Sequence, residues 1–75
     1  MNKLTILQRF SQARAAYNHT SQDVADKFKC SRGYIYKVMK YPGMNREVYG
    51  KICEYIEGAG IDVPEDEWQK AIQPE

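Results

Sequence analysis

Apolar residues along this chain recur at steps of three and four, with polar and charged residues between them, the pattern of helices that bury one side. Leu4, Ile6, Leu7, Phe10, Ala13 and Tyr17, interleaved with Gln8, Arg9, Gln12 and Arg14, predict an amphipathic first helix from about residue 3 to 17. Asn18-His19 breaks it. Thr20 with Asp23 three positions on predicts a capped start for a second, short helix: the hydroxyl accepts from an otherwise orphan backbone N–H, and the carboxylate favours the positive helix end. That helix runs to about Phe28, and Lys29-Cys30 forms a turn. Ser31 is the expected N-cap of a third helix ending near Lys40, because Pro42 disfavours helical geometry in Tyr41 and Pro42-Gly43 supplies a turn. Tyr41 to Met44 reads as a loop. Asn45 then caps a fourth helix whose apolar side comprises Val48, Tyr49, Ile52, Cys53, Tyr55 and Ile56, and Gly58 or Gly60 suits its carboxyl end. Pro64 fits the first position of a short fifth helix, where a missing N–H costs nothing and Glu65, Asp66 and Glu67 complement the dipole. Trp68, Ala71 and Ile72 share one of its sides.

The expected fold class is therefore all-α, without internal repeat, Gly-rich phosphate loop or strand-like alternation. With 75 residues, 43% hydrophobic and 28% charged, the chain has the balance of one globular domain over 1–75. A chain of this length buries roughly 60 to 65% of the surface its unfolded form exposes, so one modest core is the ceiling. Charge interrupts every apolar stretch, which argues against a membrane span, and the amino terminus lacks the apolar segment of a signal peptide. A cytoplasmic protein is expected. Cys30 and Cys53 are too few and too far apart for a disulfide framework or a metal knuckle, and read as small core residues. The sequon Asn18-His19-Thr20 matters only in a secreted chain. His19 is the only histidine and has no predictable nucleophile beside it, so neither an enzyme, a cofactor, a metal nor a small-molecule substrate is expected.

Charge changes the picture. The formal net charge of +1 conceals a segregation: residues 1 to 51 hold ten Lys and Arg against three acids, a balance of +7, whereas residues 52 to 75 hold Lys70 against seven acids, a balance of −6. Such asymmetry points to a basic working face for a polyanion and an acidic end kept away from it. The acidic segment 61–75 is the candidate dimerisation element.

Counted from Ser21 as the first position of a helix-turn-helix, the sites where two steeply crossing helices must bury side chains fall at Val24, Phe28, Cys30, Ile35 and Val38, all apolar. The point of closest approach needs a small residue and holds Ala25. Val24-Ala25-Asp26-Lys27, followed by Phe28, Cys30, Ser31, Ile35 and Val38, resembles the lambda-repressor-like family, the Cro and repressor type of DNA-binding domain, and the five-helix plan extends the resemblance over nearly the whole chain. The resemblance implies a compact bundle whose third helix enters the major groove, with dimers straddling pseudo-palindromic operators. One position departs from it. The turn residue usually filled by Gly is Lys29, which requires either a left-handed lysine or a reshaped turn.

Carried over position by position, the resemblance implies base reading by Ser31, Arg32, Gly33, Tyr36 and Lys37, on the side of the third helix away from Ile35 and Val38. Arg32 is the first choice, since a guanidinium can bond O6 and N7 of guanine together. Gly33 is informative because glycine in an exposed helical turn sacrifices about 1 kcal/mol relative to alanine, which close approach of a groove wall would explain. Phosphate contacts are expected from Gln22, Lys29, Lys40, Asn45 and Arg46, with a log–log salt slope near −4 to −5 for about five neutralised phosphates. Lys27 adds long-range attraction. Trp68, Ile72 and Val63 are the expected homodimer contacts, since a Trp on a short terminal helix has little core of its own to enter. Tyr17, Tyr34, Tyr41, Tyr49 and Tyr55, at helical spacing, belong to core edges or interfaces rather than to a stacking platform. The expectation is a transcription regulator, a repressor or Cro-like protein of phage or bacterial type, binding double-stranded DNA. The alternative keeps the fold but makes the basic third helix an adaptor for an acidic protein partner.

Overall fold

The computed structural model describes residues 4–71, and over them the chain forms α1 (Ile6–Tyr17), α2 (Ser21–Phe28), α3 (Arg32–Lys40), a 3₁₀ turn (Pro42–Met44), α4 (Arg46–Gly58) and α5 (Glu65–Ala71). The all-helical class is as the periodicity predicts. Ile72 and the residues after it lie outside the described residues.

Short polar side chains fix where the helices begin. Thr20 caps α2 in a reciprocal box with Asp23, Ser31 caps α3 through the Tyr34 N–H, and Asn45 caps α4 through the Val48 N–H. The first helix starts later than its apolar pattern suggests. Thr5 is its N-cap, in a second reciprocal box whose other member is Gln8. Each cap satisfies a backbone donor that the helix leaves orphaned, typically worth about 1 kcal/mol. Two helices end on non-glycine residues in the left-handed region, Asn18 at φ 59° and Lys29 at φ 57°. Gly60, at φ 84°, takes the left-handed position after α4, where a residue lacking Cβ carries no steric penalty. Pro64 stands just before α5 rather than at its first position, and its carbonyl accepts from the Glu67 and Trp68 N–H groups.

The core is assembled from one stripe per helix. Phe10 and Ala13 of α1, Val24 and Ala25 of α2, Ile35 and Val38 of α3, and Tyr49, Ile52, Cys53 and Ile56 of α4 are all essentially inaccessible. Phe28 and Cys30, expected to be buried, are half-buried and pack against this cluster from its edge. Leu7 lies one step off the Ile6–Phe10–Ala13 stripe and is 46% exposed. The last helix closes the bundle differently: its one buried side chain is Glu67.

Glu67 accepts a hydrogen bond from the Tyr49 hydroxyl at 2.6 Å and an ion pair from Lys70 at 3.0 Å. A buried carboxylate is tolerable because it is paired twice. Burial, then the bond to Glu67, pushes the Tyr49 phenol far above its ordinary range. Burial in the same place, helped by Glu67, Glu57 and Glu54, raises the Cys53 thiol from 9.0 to about 12. Cys30 is also raised, by burial against the opposing influence of Lys51. Both cysteines are free thiols, and an upward shift favours the thiol over the nucleophilic thiolate.

Candidate functional site

The turn between α2 and α3 is short because Lys29 accepts the left-handed conformation that the sequence pattern leaves open. Its N–H bonds back to the Asp26 carbonyl and the Cys30 N–H to the Ala25 carbonyl, so the chain reverses within Lys29–Ser31 and Ser31 restarts the helix. On α3, Ile35, Val38 and Met39 are buried. Gly33, Lys37 and Lys40, at the i, i+4, i+7 spacing of the opposite side, are exposed, and Arg32 and Ser31 are exposed at its amino end. The geometry thus brings Ser31, Arg32, Gly33, Lys37, Lys40 and, across the turn, Lys29 onto accessible surface of one continuous segment. The Arg32, Lys37 and Lys29 side chains make no hydrogen bond or ion pair among the described residues. Lys40 lies 5.6 Å from the Tyr41 ring centroid.

Local charge reinforces the placement. From Lys27 to Arg46 the sequence has six cations and no acid. The rest of the basic half is dispersed, however. The Arg9 guanidinium donates to the Asp62 carbonyl at 2.7 Å, Arg14 lies over the Phe10 ring, and Lys51 pairs loosely with Glu47 on α4. Arg9, Arg14 and Lys51 are therefore engaged within the chain.

Gly33 meets open space: a Cβ built there finds nothing within 4 Å. Packing within the chain gives no reason for this glycine. Beside it, Ser31, Gly33, Tyr34, Lys37 and Met44 bound a shallow depression of about 400 Å³. The Ser31 Oγ accepts the Tyr34 N–H at 3.1 Å, which leaves its own O–H to donate outward.

Three expected site residues belong elsewhere. Tyr36 is half-buried, its hydroxyl within 2.9 Å of the Ser21 Oγ and its ring edge-on to Phe10 at 6.0 Å. It ties α3 to α2 and α1, because position 36 flanks the buried stripe closely enough for a long aromatic to reach back. Asn45 is committed twice, accepting the Val48 N–H and donating to the Tyr34 hydroxyl at 2.9 Å. Arg46, expected to face phosphate, donates to the Lys70 carbonyl at 3.1 Å and so ties α4 to α5. Gln22 is exposed, with its amide donating to Asp26 at 2.9 Å. Tyr34, expected at a core edge or interface, is half-buried against the core, and its hydroxyl joins α3 to the cap of α4; nothing in the local pattern marks that partner.

At the other end, Val63 is 7% exposed within its own chain, which leaves a second copy almost nothing to touch. Trp68 is half-buried against the core, with Nε1 donating to Glu57 at 3.3 Å. Among the described residues no group of three His, Cys, Asp or Glu side chains is placed to hold a metal ion, and no helix is long and apolar enough to cross a membrane. No family model matches this chain, and no curated protein or solved structure matches it.

Proposed function

We propose that the chain is a sequence-specific double-stranded DNA-binding regulator that presents α3 to the major groove. The observation that carries this reading is the division of α3 itself, with Ile35, Val38 and Met39 holding the helix in the core while Arg32, Gly33 and Lys37 remain accessible in a stretch without an acid. A helix anchored on one side and cationic on the other suits a groove whose floor offers acceptors and whose walls are phosphates. Arg32 reads a guanine edge, Lys37 a base or its phosphate, and Gly33 lets the helix backbone approach closely. Lys29 and Lys40 meet phosphates on either side. Tyr36 positions α3 rather than touching DNA.

On this reading the protein works in the cytoplasm, as a repressor or Cro-like factor, and two copies occupy half-sites about one helical turn apart. Selection of bound duplexes from a random pool tests specificity, symmetry and spacing together. With three cations per copy, Lys29, Lys37 and Lys40, on phosphates, the log–log slope of affinity against salt is about −2.7 per copy. Arg32→Ala lowers affinity for the selected site by about 5- to 150-fold, the equivalent of 1 to 3 kcal/mol, with an unchanged melting temperature. Failure to recover any motif, or a flat salt response, overturns the proposal. A second reading, an adaptor meeting an acidic protein, draws support from Tyr41 and Met44, 55% and 44% exposed beside Lys40, since aromatic and Met side chains are enriched in protein interfaces. Salt-sensitive, sequence-selective binding of duplex DNA separates the two.

A further inference from the structure

A second concavity lies away from α3. It is a cleft of about 550 Å³ between the end of α1, the last turn of α2 and the middle of α4. Its walls are aromatic: Tyr17, His19, Phe28 and Tyr55. The Tyr17 and His19 rings stand 5.2 Å apart at 23°, His19 and Tyr55 5.9 Å apart at 22°, and Tyr17 and Tyr55 4.9 Å apart at 43°, so the three rings pack on one another as one aromatic cluster. A hydrogen bond of 2.8 Å between His19 Nδ1 and the Tyr55 hydroxyl fixes their relative placement. Tyr17 is 39% exposed even so. Its hydroxyl lies over Gly58, where a Cβ would come within 2.5 Å of it, so the position of this ring depends on a missing side chain on α4.

The remaining lining groups are charged: Lys27 and Lys51, with Glu54. Two cations and one carboxylate leave a single positive charge beside the aromatic cluster. Lys51 is loosely held, 3.8 Å from an exposed Glu47, and reorients at little cost. A mostly aromatic concavity with a few charged groups at its rim is the ordinary composition of a small-molecule site.

We propose that this cleft binds a small aromatic carboxylate, with the ring against Tyr17 and His19 and the carboxylate between Lys27 and Lys51. The net charge selects a monoanion over a phosphate dianion, because Glu54 repels a second negative charge. No lining residue comes from α3, so the inference stands or falls apart from DNA binding.

Titration of the ¹⁵N-labelled protein followed by NMR, with indole-3-acetate as the probe, tests it. Indole alone, acetate alone and adenosine monophosphate are the comparisons. Indole-3-acetate is expected to bind at least about tenfold more tightly than any of the three, moving the amides of Lys27, Phe28 and Lys51 and leaving those of Trp68 and Lys70 in place. Lys51→Ala removes one cation, and Gly58→Ala displaces the Tyr17 ring; each is expected to weaken the probe at least about fivefold with the fold intact by the same spectra. No saturable shift up to about 10 mM indole-3-acetate overturns the proposal, as does equal binding of adenosine monophosphate or an unchanged affinity in both variants.

Discussion

Two regions of the molecule use charge in opposite ways. Around α3, Lys29, Arg32 and Lys37 reach into solvent, and the helix is held by its apolar underside and by Tyr34 and Tyr36 at its flanks. Around α5, polar groups join Trp68 and Ala71 in the attachment: Tyr49 bonds to Glu67, which Lys70 also pairs, Trp68 to Glu57, and Arg46 to the Lys70 carbonyl. A charge already satisfied inside the chain has little to offer a partner, whereas one held at the surface of an anchored helix does. The difference teaches that net charge along a sequence is a poor guide to a working face. What counts is which charges the fold leaves unspent.

The sharpest way to break the contrast is at Glu67. Glu67→Ala leaves the Tyr49 hydroxyl buried without its acceptor and should cost about 1 to 3 kcal/mol. For a chain of this size that lowers the melting temperature by roughly 5 to 20 °C. Thermal unfolding by circular dichroism measures it, and DNA affinity well below the transition should stay as it was. An equal loss of DNA affinity would mean that the two regions are coupled.

Substitution in the other region should do the reverse. Lys37→Gln combined with Lys40→Gln should reduce the salt slope by about 2 while leaving unfolding unaltered. Fluorescence anisotropy at several salt concentrations reads it. Gly33→Ala, with open space around the new methyl group, should raise stability by about 1 kcal/mol and still weaken binding to the selected duplex. A variant that gains stability and loses no affinity would remove the argument for close approach.

The smallest effect is a matter of pH. Hydrogen bonds from the Thr20 backbone, then its side chain, hold Asp23 below the ordinary carboxylate value of 3.8. A depressed carboxylate stabilises the folded chain above its unfolded pKa and loses that contribution as pH falls below 3.8 and through the folded value. Asp23→Asn should therefore be slightly less stable than the parent at pH 7 and should converge with it in acid. Melting curves across pH 2 to 7 follow the convergence, and parallel curves would deny the box any ionic character.

Much of this architecture was legible because it is local. Thr20, Ser31 and Asn45 act on backbone within three residues of themselves, and Val24, Ala25, Ile35 and Val38 follow a helical period that any core would impose. Thr5 and Gln8 were equally readable as a capping box, yet the apolar Leu4 beside them suggests an earlier start. The site was less legible, since its composition depends on contacts far apart in sequence. Tyr36 meets Ser21 and Phe10, Arg46 meets the end of α5, and Val63 enters the core; none of these pairings leaves a trace in local spacing. Short side chains reveal their partners in sequence, whereas long ones reach whatever the fold brings near.

Lys29 is where backbone and charge meet in a single residue. Its left-handed conformation, costly for any side chain with a Cβ, is relieved by exchange for glycine, and the same exchange deletes a cation next to Arg32. Mutational tolerance at this position should consequently split by assay: a screen for thermal persistence favours Gly or Asn, and one for retention on a polyanion favours Lys or Arg. The bend that reverses the chain is thus a point at which endurance and adhesion can be tuned against each other one amino acid at a time.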